Sequence, residues 1–251
     1  GVALAGTGAL APLLAISALH FAQHGLADPL AAAGAFAALA GVLGALIAVA
    51  SQRRRDGLAA LKVTLWVLTL SAFTALAAAI TLALPAPLAA PAFALVALGL
   101  IALNTRVPDH AWRLFAMAAA VFSAFNALQS GQLLLAETPT WPAWALVGAG
   151  LFMPAAILAA TSSFARRTDA RLSQAILETF ALTLAIASVN LLVRLFFSAG
   201  ATLMAPIGFV EAGAHISVWL FAALTLAARS KRGASSRMAM ATALAGVAVL
   251  T

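Results

Sequence analysis

Long apolar stretches broken by short polar links run the whole length of the chain. From the amino terminus they are Val2 to Phe21, Pro29 to Ala50, Leu58 to Leu84, Leu88 to Asn104, Ala111 to Leu135, Trp141 to Ala160, Leu172 to Phe197 and Ala205 to Ala228, and a ninth begins at Met238. Each is close to the roughly 20 residues a helix needs to cross a hydrocarbon core. The segments are too long and too uniformly apolar for barrel strands, and an unpaired amide in lipid costs several kcal/mol, so each predicts a helix. The expected fold is all-α, a polytopic transmembrane helical bundle with about eight full crossings and a partial ninth. Residues 1–251 are expected to form one transmembrane helical region. Gly1 already stands inside an apolar stretch and the last stretch stops at Thr251, as in a piece of a longer chain.

The polar links set orientation. Arg53, Arg54 and Arg55 lie in the second link, Arg106 in the fourth with Arg113 just beyond, Arg166, Arg167 and Arg171 in the sixth, and Arg229, Lys231, Arg232 and Arg237 in the eighth. Lys62 stands one turn into the third helix, where its stem can snorkel to the same side. The odd-numbered links carry no Lys or Arg and hold Asp28 and Glu137. The positive-inside rule then puts the basic links on the cytoplasmic side, with membrane lipids as the surrounding partner.

Composition changes the picture little. The chain is 64% hydrophobic and 8% charged, with a mean hydropathy of +1.06, far from the soluble norm of about 25% charged residues. A net charge of +7 is spent in clusters at helix ends and not along one face, so topology accounts for it and nucleic acid is not an expected partner. Cysteine is absent, which removes disulfides, thiol nucleophiles and cysteine metal sites.

Proline and glycine punctuate the helices. Pro85, Pro87 and Pro91 predict an extended turn at the third link, and Pro154 predicts a kink in the middle of the sixth helix. Gly34 with Ala38, Gly41 with Ala45, and Gly208 with Ala212 offer small ridges on which helix backbones pack closely. Trp112, Trp141 and Trp144 fit aromatic-belt positions, whereas Trp66 and Trp219 lie deeper.

The polar residues left inside apolar helices are the candidates for chemistry. Arg194 is the one basic residue off the cytoplasmic side, and an arginine in a membrane helix costs about 2.5–3.5 kcal/mol on insertion scales unless it is paired. Asn190 lies one turn earlier on the same face. If Pro206 starts the next helix, Glu211 is about 7–8 Å deep and Arg194 about 6 Å below the end of its own helix. Two antiparallel neighbours then bring the charges to one depth, which predicts an Arg194–Glu211 ion pair. His215 and Trp219 follow Glu211 at successive turns on one stripe. This candidate cluster of Asn190, Arg194, Glu211, His215 and Trp219 is read either as a staple between helices or as a substrate or proton site.

Glu178 falls on nearly the opposite face from Arg194 and is expected to be a separate interfacial carboxylate with an arginine partner. Asn126, Gln129 and Gln132 form a polar strip around Ser130-Gly131, expected to bond between helices. His20, His24 and Asp28 recur at four-residue spacing, a weak zinc-like pattern that Gly25 and Pro29 interrupt. No cofactor is expected. Glu211 and His215 as acid and base would still need a nucleophile, a metal or an activated substrate, so the sequence leans against an enzyme.

From about residue 65 onward the chain resembles a family of very large bacterial predicted membrane proteins of unknown function. Leu65 to Leu128, with the short basic turn Asn104 to Arg113, is similar to that family's alanine- and leucine-rich helix pairs. The closer likeness is Val193-Arg194-Leu195-Phe196-Phe197-Ser198-Ala199-Gly200, then Glu211, then Ser217-Val218-Trp219-Leu220. The resemblance implies that Arg194, Glu211 and Trp219 belong to a family pattern, and it implies no activity. His215 stands where the family tends to have an aromatic.

Two functions follow as expectations. One is a transport or translocation component for an envelope lipid, glycan or other amphiphile, with Arg194 receiving an anionic head group. The other is a structural or assembly subunit packing against other membrane-protein subunits, in which the charges fix helix register.

Overall fold

The computed structural model describes residues 29–52, 59–106, 109–134, 141–166, 171–198 and 207–230. Every regular element among them is helical: α1 Pro29–Gln52, α2 Ala59–Ala83, α3 Ala86–Arg106, α4 His110–Leu134, α5 Ala143–Val147, a π segment Gly148–Phe152, α6 Met153–Ala165, α7 Arg171–Ser198 and α8 Phe209–Ser230. α5, the π segment and α6 form one continuous span. Six spans among the described residues are long and apolar enough to cross a membrane, and the apolar stretch Phe209–Leu224 of α8 is shorter. Of the about eight crossings expected, six are found among the described residues, and the stretches at Val2 to Phe21 and from Met238 lie outside them.

The distribution of side-chain size argues for lipid around this protein. Leu95, Val121, Phe125, Leu128, Phe209 and Phe221 face outward, while Ala90, Ala94, Ala97, Ala116, Ala120, Ser123, Ala127 and Ser130 are fully buried. A soluble protein rarely exposes so much contiguous apolar surface. In a bilayer the hydrophobic effect does not distinguish helix from lipid, so close packing of small residues holds the helices together.

The chain divides into two compact units, 1–85 and 86–251. In the first, Phe36 near the start of α1 packs on Ala75 and Ala79 near the end of α2, as an antiparallel pair requires. In the second, α3 and α4 pair most extensively. Their buried positions recur at alternating spacings of three and four, Ala90, Ala94, Ala97 and Ile101 on α3 and Ala116, Ala120, Ser123 and Ala127 on α4. Ser123 Oγ donates to the Ala90 carbonyl at 2.7 Å across this seam, and the Phe93 and Phe122 rings stack with centroids 5.3 Å apart. At the basic end, Asp109 Oδ1 accepts from the Ala111 amide at 3.0 Å and caps α4. Asn104 Oδ1 accepts from the Asp109 amide at 3.1 Å.

Most buried hydroxyls are absorbed by their own helices. Thr69, Thr161 and Ser188 each donate to a carbonyl four residues back, which spares lipid an unpaired polar group.

Several expectations are corrected. Pro85 alone lies in the link between α2 and α3; Pro87 and Pro91 are inside α3 and buried. The first four amides of a helix need no partner, so Pro87 fits the first turn at no cost in hydrogen bonds. The ridges Gly34 with Ala38 and Gly41 with Ala45 face outward, as does Gly208, and a β-carbon on any of these glycines would meet nothing within 4 Å. α8 starts at Phe209, later than expected: Ile207 and Gly208 are not helical, the Gly208 carbonyl accepts from the Ala212 amide at 2.9 Å, and Ala205 and Pro206 lie outside the described residues.

Pro154 is fully buried and acts through the π segment just before it. The Met153 amide reaches back five residues to the Gly148 carbonyl. Pro154 has no amide to give its α-helical partner and its ring crowds the preceding turn, and the wider π turn absorbs both effects. The segment lies against α3, α4 and α7.

Candidate functional site

α7 and α8 are the elements that carry the polar cluster, and they run antiparallel. Arg194 stands one turn before the end of α7, about 6 Å in at 1.5 Å per residue, and Glu211 is in the first turn of α8, about 3 Å in. The charges meet: Arg194 Nη1 donates to both Glu211 oxygens, each at 2.8 Å. Side-chain exposure is 11% for Arg194 and 6% for Glu211, so the pair is enclosed. A carboxylate in the first turn also faces the partial positive charge of the helix amino terminus, a second reason for Glu211 to remain ionised there. The later start of α8 makes Glu211 shallower than the sequence suggested without parting it from Arg194.

One turn deeper a second rung joins the same helices. His215 Nδ1 lies 2.6 Å from Asn190 Oδ1, and Asn190 Nδ2 donates to the Ile186 carbonyl at 2.9 Å. His215 Nε2 is 3.7 Å from Glu211 Oε1, too long for a hydrogen bond but close for a charge. The four side chains thus form a connected strip from Arg194 through Glu211 and His215 to Asn190. Trp219 is half-buried one turn beyond His215. The outward side of α8 carries Phe209, Val210, Ile216, Leu220, Phe221 and Leu224.

Spacing along each helix was enough to anticipate the Arg194–Glu211 contact. It also put Asn190 on the face of Arg194 and His215 on that of Glu211. The contact between Asn190 and His215 follows from the same antiparallel register, one turn further in, and was missed because only the charged pair was carried across the helices.

The other candidates lie elsewhere. Glu178 is bonded to Arg166 at the end of α6 and accepts from Gln174 Nε2 at 3.0 Å. Asn126 does not bond between helices: its Nδ2 donates to the Phe122 carbonyl of its own helix at 2.8 Å. Gln129 and Gln132 face outward. What the strip around Ser130-Gly131 contributes is closeness. A β-carbon built on Gly150 of the π segment would fall 2.6 Å from Ser130 Cβ and 3.6 Å from Pro87 Cα. His20, His24 and Asp28 are outside the described residues, and among the described residues no three metal-ligating side chains gather.

Neither protein-family models, nor curated proteins, nor solved structures give a match to this chain.

Proposed function

We propose that this chain is an integral protein of a bacterial inner membrane, basic links cytoplasmic, serving as a structural or assembly part of a membrane complex. The carrying observation is the pair of rungs, Arg194–Glu211 and Asn190–His215, whose polar groups satisfy one another between α7 and α8. A guanidinium gripped by both oxygens of one carboxylate has its charge balanced within the helix pair, as a clasp requires.

The test is a double-mutant cycle in the lipid-reconstituted chain. R194L and E211L alone are each expected to lower stability clearly, because each leaves one enclosed charge without its partner. The double variant is expected to recover most of that loss. Single variants that remain stable, with no coupling between the positions, defeat the clasp.

A second reading, a transport or translocation component for an envelope lipid, glycan or other amphiphile, draws on the π segment. Broken backbone ladders inside a bundle accompany functional sites and the discontinuous helices of transporters. This reading expects an amphiphile to co-purify with the chain and to be lost in a Gly150 or Pro154 variant that is still folded.

A further inference from the structure

The Asn190 amide is oriented by its own bond: Nδ2 donates to the Ile186 carbonyl, so Oδ1 is the atom turned to His215. An amide oxygen has only lone pairs, and a 2.6 Å contact with Nδ1 therefore requires the imidazole proton on Nδ1. A neutral imidazole carries one N–H. Nε2 is then the bare nitrogen, and its lone pair lies 3.7 Å from Glu211 Oε1. Two electron-rich atoms are thus held side by side, with His215 21% exposed.

We propose that His215 Nε2 and Glu211 Oε1 form a proton-binding site built into the α7–α8 clasp. One proton from the aqueous phase bonds to the Nε2 lone pair, and no other bond breaks. The new N–H points at Oε1, so the 3.7 Å contact closes into a charged hydrogen bond. Oε1 already accepts from Arg194 Nη1 at 2.8 Å and has a second lone pair to offer, so Arg194 and the imidazolium then share the carboxylate. The cluster passes from neutral to a net positive charge, which enclosure makes costly. Protonation therefore tightens the histidine rung against the carboxylate that Arg194 already holds.

Among the described residues, the charged groups of the cluster around His215 are Glu211 on α8 and Arg194 on α7. Glu178, the other carboxylate of α7, lies about 18 Å from Asn190 along the axis at 1.5 Å per residue. This inference rests on the clasp reading, whose site it makes responsive to protons.

The experiment is nitrogen-15 NMR of the full chain labelled at histidine and reconstituted in phosphatidylcholine vesicles, with the His215 signals identified by their loss in H215Q. The expected result is a protonated Nδ1 and a bare Nε2 at the alkaline end of a pH series, and both nitrogens protonated at its acid end. In E211Q the midpoint of that transition is expected to be displaced. A wild-type Nε2–H form, a His215 that keeps one form throughout, or an E211Q midpoint equal to wild type overturns the proposal. N190L keeps the carboxylate and removes the acceptor that fixes the proton, so it tests the assignment should E211Q fail to accumulate. A mixture of the two neutral forms is expected there, and an unchanged Nδ1–H spectrum overturns it. Failure of the clasp itself shows separately, as absent Arg194–Glu211 coupling in unfolding, which the histidine spectrum does not report.

Discussion

Gly150 lies so close to Ser130 that a β-carbon added to it would stand 2.6 Å from Ser130 Cβ and 2.7 Å from Ser130 Oγ. The π segment and α4 therefore touch nearly backbone to backbone, with Pro87 of α3 on a third side at 3.6 Å. G150A forces one of these elements to move. Its expected cost is about 1–3 kcal/mol, the range for overpacking a filled interior. S130G in the same chain removes the obstructing atoms and is expected to return much of the loss. Unfolding midpoints of wild type and the two variants in one detergent decide it; a G150A chain as stable as wild type contradicts the close approach.

Ser123 offers a gentler probe of the α3–α4 seam. S123A deletes the bond to the Ala90 carbonyl and keeps the volume, so about 0.5–1.5 kcal/mol of stability is expected to go. S123L, at a position with 0% exposure, is expected to cost more and to separate α3 from α4. Equal stability of S123A and S123L would place this residue on the lipid face.

Asp109 caps α4 through the Ala111 amide. D109A is expected to destabilise by about 1 kcal/mol, whereas D109N, which keeps an accepting oxygen, stays near wild type. Hydrogen exchange at the first turn of α4 is the direct readout: faster exchange in D109A alone supports the cap.

The second arginine–glutamate pair is expected to behave unlike the first. Arg166 is 53% exposed where it meets Glu178, and exposed ion pairs contribute about 0–1 kcal/mol and are screened by salt. R166A should therefore shift the unfolding midpoint slightly, and less again at high ionic strength. A loss as large as that of R194L would show that both pairs are clasps.

How much of this was legible before any coordinates follows from what a bilayer does to sequence signals. Among the described residues helix existence was plain, because lengths near the bilayer thickness and charge at the links are one-dimensional properties. Facing was not. Helices apolar on every side carry little contrast between an inner and an outer face, so Gly34 and Gly41 looked as suited to packing as Ala120 and Ala127, and only the latter pair is buried. Pro91 reads as a breaker in isolation yet sits within α3, where burial among neighbouring helices outweighs one missing backbone bond. The polar residues were the exception. Arg194 and Glu211 have so few acceptable positions in hydrocarbon that their depths alone paired them, while the amide of Asn126 had a carbonyl in its own helix, an option that spacing does not reveal.

The Arg194–Glu211 contact also bears on how this protein is made. An α7 released alone into hydrocarbon during synthesis would carry a bare guanidinium, and α8 alone a bare carboxylate. The two are therefore best delivered together, as a hairpin that neutralises itself before meeting lipid, and a nascent chain ending at Ser198 should linger in the insertion channel until its partner emerges.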